Sequence, residues 1–404
     1  MNLLKEGIEN GWVLKTNLSR KITIDGQTET YPVYRVRLEY LFYNDKNDRI
    51  ATWISQYKAD NNIDKMDMSD ISKYNNIIQE FIINSNPEPI KKTQANIELV
   101  DQREPGVVLA DGRIIDGNRR FTCLRNLSKN NPRFNYFETV ILEKSLENNS
   151  KQIKMLELMI QHGEESKVDY NPIDRLVGIH NDIIESKLLT VKEYAMSTNM
   201  TESEVNKEIE VAKLLVEFLE TINAPKQFYI ARDMDLDGPL RELYGILRKN
   251  KSTDEVENIK YAVFTNFLMQ PQGDMTRFIR KIKTVASSRY LNEYLDEQME
   301  IAEKVLDKLP EVGNVTKEVI KEVFRSDEDT KKELQKSLEI AELKAKSSES
   351  RNKPLQILEK IENSLETIDI NIFYKLNEEQ ISLVLSQVDK IEESLKIIKE
   401  AANV

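Results

Sequence analysis

The sequence predicts an α+β chain, with a small β-rich N-terminal part and a long, almost wholly helical remainder. Two observations carry this. Gly and Pro are sparse, 12 and 11 in 404 residues, and Glu, Lys and Leu are abundant, which is the composition of a mostly helical protein. Segments with strand periodicity lie before Glu143, and beyond it apolar residues recur at spacings of three and four.

Taken in order, residues 21–24 read as a short strand closed by the hairpin dipeptide Asp25-Gly26. Residues 31–38 alternate apolar and polar, as a half-buried strand does, and 43–49 form a polar loop. A helix over 69–83, capped by Ser69 or Asp70, is expected to end in a Pro-containing loop at 84–89. Strands at 107–110 and 113–115 are joined by Asp111-Gly112. A second turn, Asp116-Gly117, leads into a helix over 119–127, and 134–142 alternates once more. From there the chain reads as helix. A helix–helix–turn–helix rhythm occupies 176–219, helices follow at 239–248 and 255–269, and one or two long ones fill 276–309. The periodic stretches 317–324, 334–343, 355–365 and 381–398 predict helical hairpins or coiled coil, with a linker at 345–354. The expected divisions are 1–150, 151–225, 226–310 and 311–404.

Composition narrows the chemistry. Cys123 is the only cysteine, so an intrachain disulfide, a four-thiolate zinc site and zinc fingers are excluded, and with two histidines a His-rich metal centre is not expected. The single thiol suits a reducing cytoplasm. The N-terminus lacks a basic region followed by an apolar core, so no secretory leader is expected. No apolar run of about 18 residues predicts a membrane span. The net charge of −11 is not a nucleic-acid footprint, although a local basic patch is compatible with it.

The segment Asp111-Gly-Arg-Ile-Ile-Asp-Gly-Asn-Arg-Arg-Phe121 carries the chemistry. Gly117 permits a tight turn and a close ligand approach. The helix start behind it offers unpaired N–H groups and a positive dipole end. Arg119 and Arg120 add bidentate cations, and together these features describe an anion site. On physics alone, a β-hairpin whose arginines are solvated or paired with acids explains the same residues equally well.

The run Gly117-Asn-Arg-Arg-Phe-Thr-Cys-Leu124 resembles the signature of the ParB/sulfiredoxin superfamily. The resemblance spans residues 31–219. It implies a small mixed-sheet domain whose turn holds nucleotide phosphates, CTP in ParB-type partition proteins and ATP in sulfiredoxins and a related serine kinase. The implied ligands are Gly117, Asn118, Arg119 and Arg120. Residues 36–49 resemble the family's second nucleotide-facing loop, with Asn44, Asn47 and Arg49 in place. Downstream, Asn171-Pro-Ile173 is similar to the family's Asn-Pro-Ile segment, which implies a nucleotide-facing role for Asn171. That residue also reads as a helix N-cap with Pro at N1. The pattern departs at Leu158 and Met159, which stand where the family carries a Glu-Asn pair for magnesium and triphosphate. Leucine cannot ligate Mg²⁺. Glu157, Glu164 or Glu165 are the substitutes, with Glu157 and Glu164 taken as metal candidates. The sulfiredoxin chemistry requires a cysteine inside the turn, whereas Cys123 lies on the helix behind it and reads as a buried small apolar residue.

In ParB proteins Asn-Pro-Ile leads into a helix-turn-helix. Residues 189–209 have that form, with Thr190 as the first cap, Thr201 or Ser203 as the second, and Ala195 small enough for close packing. Ser203, Asn206 and Lys207 suit groove contact. Glu202, Glu204, Glu208 and Glu210 oppose it, since phosphates repel carboxylates. A helical packing module is the competing reading. A basic run with Arg277, Arg280, Lys281 and Lys283 on one face either tracks a nucleic-acid backbone or is a solvated face. The leading expectation is a ParB-like protein that binds CTP or ATP with Mg²⁺, contacts DNA, uses the nucleotide as a switch and forms a homodimer through its C-terminal helices. The alternatives are an enzyme of the same fold, an NTPase, phosphotransferase or nuclease with Asp111 or Asp116 as base, and a non-catalytic scaffold.

Overall fold

The computed structural model describes residues 2–24, 27–143, 146–163, 171–249 and 252–402. The fold is α+β, with one five-stranded mixed sheet near the N-terminus followed by helices. The expected turn at Asp25-Gly26 lies outside the described residues. The chain divides into two compact units, Met1–Glu342 and Leu343–Val404.

The strands are β1 (Val13–Ile24), β2 (Gln27–Arg37), β3 (Gly106–Leu109), β4 (Ile114–Asp116) and β5 (Tyr136–Leu142), ordered β1-β2-β5-β3-β4. β1–β2, β2–β5 and β3–β4 are antiparallel, and β3–β5 is parallel. Alternate residues serve opposite faces, because strand side chains have period two. Val36, Val108, Ile114, Phe137 and Ile141 share one core with the four helices α1 (Ala51–Asn61), α2 (Ile71–Ser85), α3 (Pro87–Val100) and α4 (Asn118–Ser128), which contribute Ile54, Tyr74, Ile90 and Phe121. Val33, Val107, Leu109, Ile115, Val140 and Leu142 face the other way, onto Ile153 and Leu156 of α5 (Leu146–Gly163). The sheet is therefore covered on both sides, which explains why β3 and β4 are short continuous apolar runs rather than alternating ones.

Three local expectations are corrected. β1 starts eight residues earlier than the apolar signal at residue 21, because its first half is largely exposed and interrupted by a bulge between Lys15 and Ser19. Asn86 alone separates α2 from α3, where a loop over 84–89 was expected. Pro87 starts a helix there, since a missing N–H is harmless at the first helical position. The linker expected at 345–354 lies within one helix, because its Ala, Lys, Ser, Glu and Arg residues all tolerate helix and Pro354 is the single breaker.

The helical part continues with α6 (Pro172–Ile179), which runs into a π-helical turn (His180–Glu185), then α7 (Val191–Thr198), α8 (Glu202–Thr221), α9 (Phe228–Asp233), α10 (Asp237–Leu247), α11 (Thr253–Met269), α12 (Met275–Ala286), α13 (Leu291–Leu306), the short α14 (Lys317–Val319), α15 (Glu328–Glu366) and α16 (Glu378–Ala402). One apolar core joins Leu158 to Ala341 and is shared by segments 151–225 and 226–310. In the second unit no described side chain beyond Ala345 is buried. No helix among the described residues is long and apolar enough to cross a membrane.

Candidate anion-binding site

β4 delivers the chain to Gly117, which has φ 99° and immediately precedes α4. An added Cβ there would lie 2.7 Å from Phe137 Cζ, so both the left-handed backbone and the packing require glycine. No side chain caps the start of α4, which leaves its first N–H groups without intrahelical partners. Gly117→Ala is expected to destabilise the protein by about 2 kcal/mol, most of it from the positive φ. Denaturant unfolding checks this, and an unchanged midpoint would show that the turn tolerates a side chain.

Arg119 occupies the first turn of α4. Its side chain is half-buried and, among the described residues, makes no hydrogen bond or ion pair. Burial, and then the like charge of Arg49, hold its guanidinium below the ordinary arginine range. The Arg49 cation thus stands close to Arg119 at the uncapped start of α4, and among the described residues no acid pairs with Arg119. Asn118, beside it, has a buried Oδ1 without a partner.

The other expected ligands are placed differently. Arg120 donates to the Glu104 carbonyl at 2.7 Å and to Asp116 Oδ2 at 2.9 Å, while Arg20 also reaches Asp116 Oδ2 at 3.0 Å. Arg120 therefore braces β4 and the 104–105 loop. Asn44 and Asn47 are buried, and their Oδ1 atoms accept from the N–H groups of Lys46 and Arg49, so they shape the loop that carries Arg49. Asn171 caps α6 by accepting from Ile173 N at 2.9 Å, with Pro172 at N1. Asp111 accepts from Arg113 N within its own turn. Cys123 is fully buried and burial pushes its thiol up to about 12, so it is a packing residue.

Behind the Arg49 loop lies a charged cluster of which sequence reasoning singled out Glu157 alone. Lys154 Nζ is 2.6 Å from Asp48 Oδ1 and 3.2 Å from Asp182 Oδ2, and Glu157 is buried beside them. The pair Lys154 and Glu157 sits on a helix with buried apolar neighbours on both sides, and that was the available signal. Asp48 is joined to Lys154 of α5, and through it to Asp182 of the π-helical turn. It also fills the space over Gly178, where an added Cβ would meet its carboxylate at 2.7 Å. Burial works against the Lys154 ammonium, but the surrounding carboxylates outweigh it and hold its pKa above the usual lysine range. Among the described residues no group of three or more His, Cys, Asp or Glu is arranged to hold a metal ion. Glu157, expected as a metal ligand, accepts instead from Gln161 at 3.0 Å, and Glu164 lies outside the described residues.

Burial, reinforced by Asp48, raises Glu157 to about 8 and Asp182 to about 7, and burial raises Asp174 to about 7. A carboxyl with a raised folded pKa adds stability that is complete below the ordinary carboxylate range and is lost as pH rises through the folded value. Stability is therefore expected to fall between about pH 6 and about pH 8.5. Denaturant unfolding at both pH values tests this, and a rise over that window would contradict the sign.

The expected pair of helices is present, α7 and α8 joined by a short turn. Thr190 with Glu193 and Thr201 with Glu204 form capping boxes, and Asn199 makes the turn at φ 56°. Ser203, Asn206 and Lys207 are exposed on α8. Glu208 does not join the acidic surface, since it is buried and paired through both oxygens with Arg241. On α12, Phe278, Ile279 and Ile282 are buried, Arg277, Arg280 and Lys283 are exposed, and Lys281 is half-buried. Arg280 is partly neutralised by Glu242 at 2.6 Å.

No family model matches the chain, and no curated protein matches it.

Proposed function

We propose that this chain is a ParB-like nucleotide-binding protein that takes CTP or ATP at the Gly117 turn, contacts DNA and self-associates. The observation that carries the reading is the Arg119 guanidinium, half-buried without a partner beside Arg49 at the uncapped start of α4. A triphosphate supplies the missing negative charge and accepts from the helix N–H groups. Among the described residues no cluster of three or more His, Cys, Asp or Glu stands ready for a metal. Asp116 is committed to Arg20 and Arg120, so Mg²⁺ accompanies the phosphates in this reading.

The coupling follows from Asp48. It is adjacent to Arg49 in sequence and bonded to Lys154, so a ligand that draws on Arg49 acts on the loop that α5 holds. DNA contact is assigned to Arg277, Lys281 and Lys283 of α12, with Ser203, Asn206 and Lys207 of α8. The exposed Glu202, Glu204 and Glu210 favour a scaffold as the second reading. Retention of duplex DNA at graded salt, with and without nucleotide, separates the two. Salt-dependent retention that changes with nucleotide is expected, and retention at no salt concentration would leave the scaffold.

A further inference from the structure

Among the described residues of α16 no side chain is buried, and several large apolar ones are exposed. Ile381, Val388, Leu395 and Ile398 of α16 are between 38% and 45% exposed, and Val384 and Ile391 are half-buried. A soluble protein rarely leaves such a surface open. The pattern is ordered rather than scattered. Ile381, Val384, Val388, Ile391, Leu395 and Ile398 follow one another at alternating spacings of three and four, the a and d positions of a coiled coil, without a polar interruption.

We infer that α16 pairs with α16 of a second copy of this chain in an antiparallel coiled coil. The inference deepens the self-association in the reading above and makes no use of the nucleotide. Charge decides the direction. Glu378 and Lys399 occupy equivalent flanking positions at opposite ends of the helix. An antiparallel register that stacks Ile381 on the partner copy's position 398 sets each Glu378 against a Lys399, once at each end. It also sets Gln387 against Ser394, with no like charges opposed. A parallel register faces Gln387 with Glu392 and Ser394 with Lys399 and forms no ion pair. The d positions agree, since Val384, Ile391 and Ile398 are all β-branched, whereas parallel two-stranded coils prefer Leu there. The antiparallel layers, Ile381 on Ile398, Val384 on Leu395 and Val388 on Ile391, each occur twice by symmetry.

The test uses the full chain. Cys123 is buried with its thiol pushed up to about 12, so introduced cysteines can be read against a quiet background. Sedimentation should show a dimer that Val388→Asp abolishes. Under mild oxidation, a mixture of Ile381→Cys and Ile398→Cys chains should form a crosslinked dimer, while either variant alone should not. Glu378→Lys should weaken the dimer roughly threefold to tenfold, and adding Lys399→Glu should restore it. A monomer at all concentrations, or crosslinking by each single-cysteine variant alone, overturns the proposal. Either result leaves nucleotide binding at Arg119 untouched, and a failure to bind nucleotide leaves the dimer untouched.

Discussion

Lys154→Met is expected to cost about 3–5 kcal/mol of stability, because removing one partner from a buried ion pair leaves uncompensated charge behind. Among the described residues, Lys154 is the cation in direct contact with the buried carboxylates of Asp48 and Asp182, with Glu157 beside them. Methionine keeps the length of the side chain, so the loss reports charge rather than volume. Denaturant unfolding measures it. The triple variant Lys154→Met, Asp48→Asn, Asp182→Asn should recover much of the loss, since it removes the charge that the single change strands. A single variant within about 1 kcal/mol of the parent would show that the cluster is hydrated rather than buried. The pH dependence should also change in Lys154→Met, because the lysine is what holds the raised carboxyls of Glu157 and Asp182 down.

Arg119→Ala should separate binding from stability. Losing charge-assisted hydrogen bonds to phosphate is worth roughly 1.5–3 kcal/mol, or about tenfold to a hundredfold in affinity. The apo protein should be no less stable, and slightly more so, because Arg119 has no partner among the described residues and its nearest strong interaction is repulsion from Arg49. Arg120→Ala should behave in the opposite way. It releases Asp116 and the Glu104 carbonyl, so it should destabilise the fold and lower affinity only indirectly. Comparing melting with nucleotide affinity for the two variants distinguishes a ligand from a brace, and equal destabilisation by both would remove the distinction.

Legibility in the sequence followed burial. β3, β4 and β5 were readable because their side chains are mostly buried and apolar, and α4 because glycine marks its start and Phe121, Cys123, Leu124 and Leu127 its buried face. The first half of β1 was not readable, because an exposed strand carries no apolar alternation. α1 escaped because its sequence, with Thr, Ser, Gln and Lys among few buried positions, has no strong apolar stripe. At the site, residue types alone placed Arg119 and Arg120 side by side as equals. Their different partners depend on Asp116, Arg20 and the 104–105 loop, which come together only in three dimensions. The same holds for Asp48 and Lys154, 106 residues apart and 2.6 Å from each other.

The central claim is that the Gly117 turn binds a nucleotide through Arg119. Calorimetric titration of CTP and of ATP, each with Mg²⁺, into the parent protein and into Arg119→Ala tests it most directly. Saturable binding of one nucleotide by the parent, weakened at least tenfold in the variant, is the expected result. No heat from either nucleotide at millimolar concentration, or equal binding by both proteins, would contradict it.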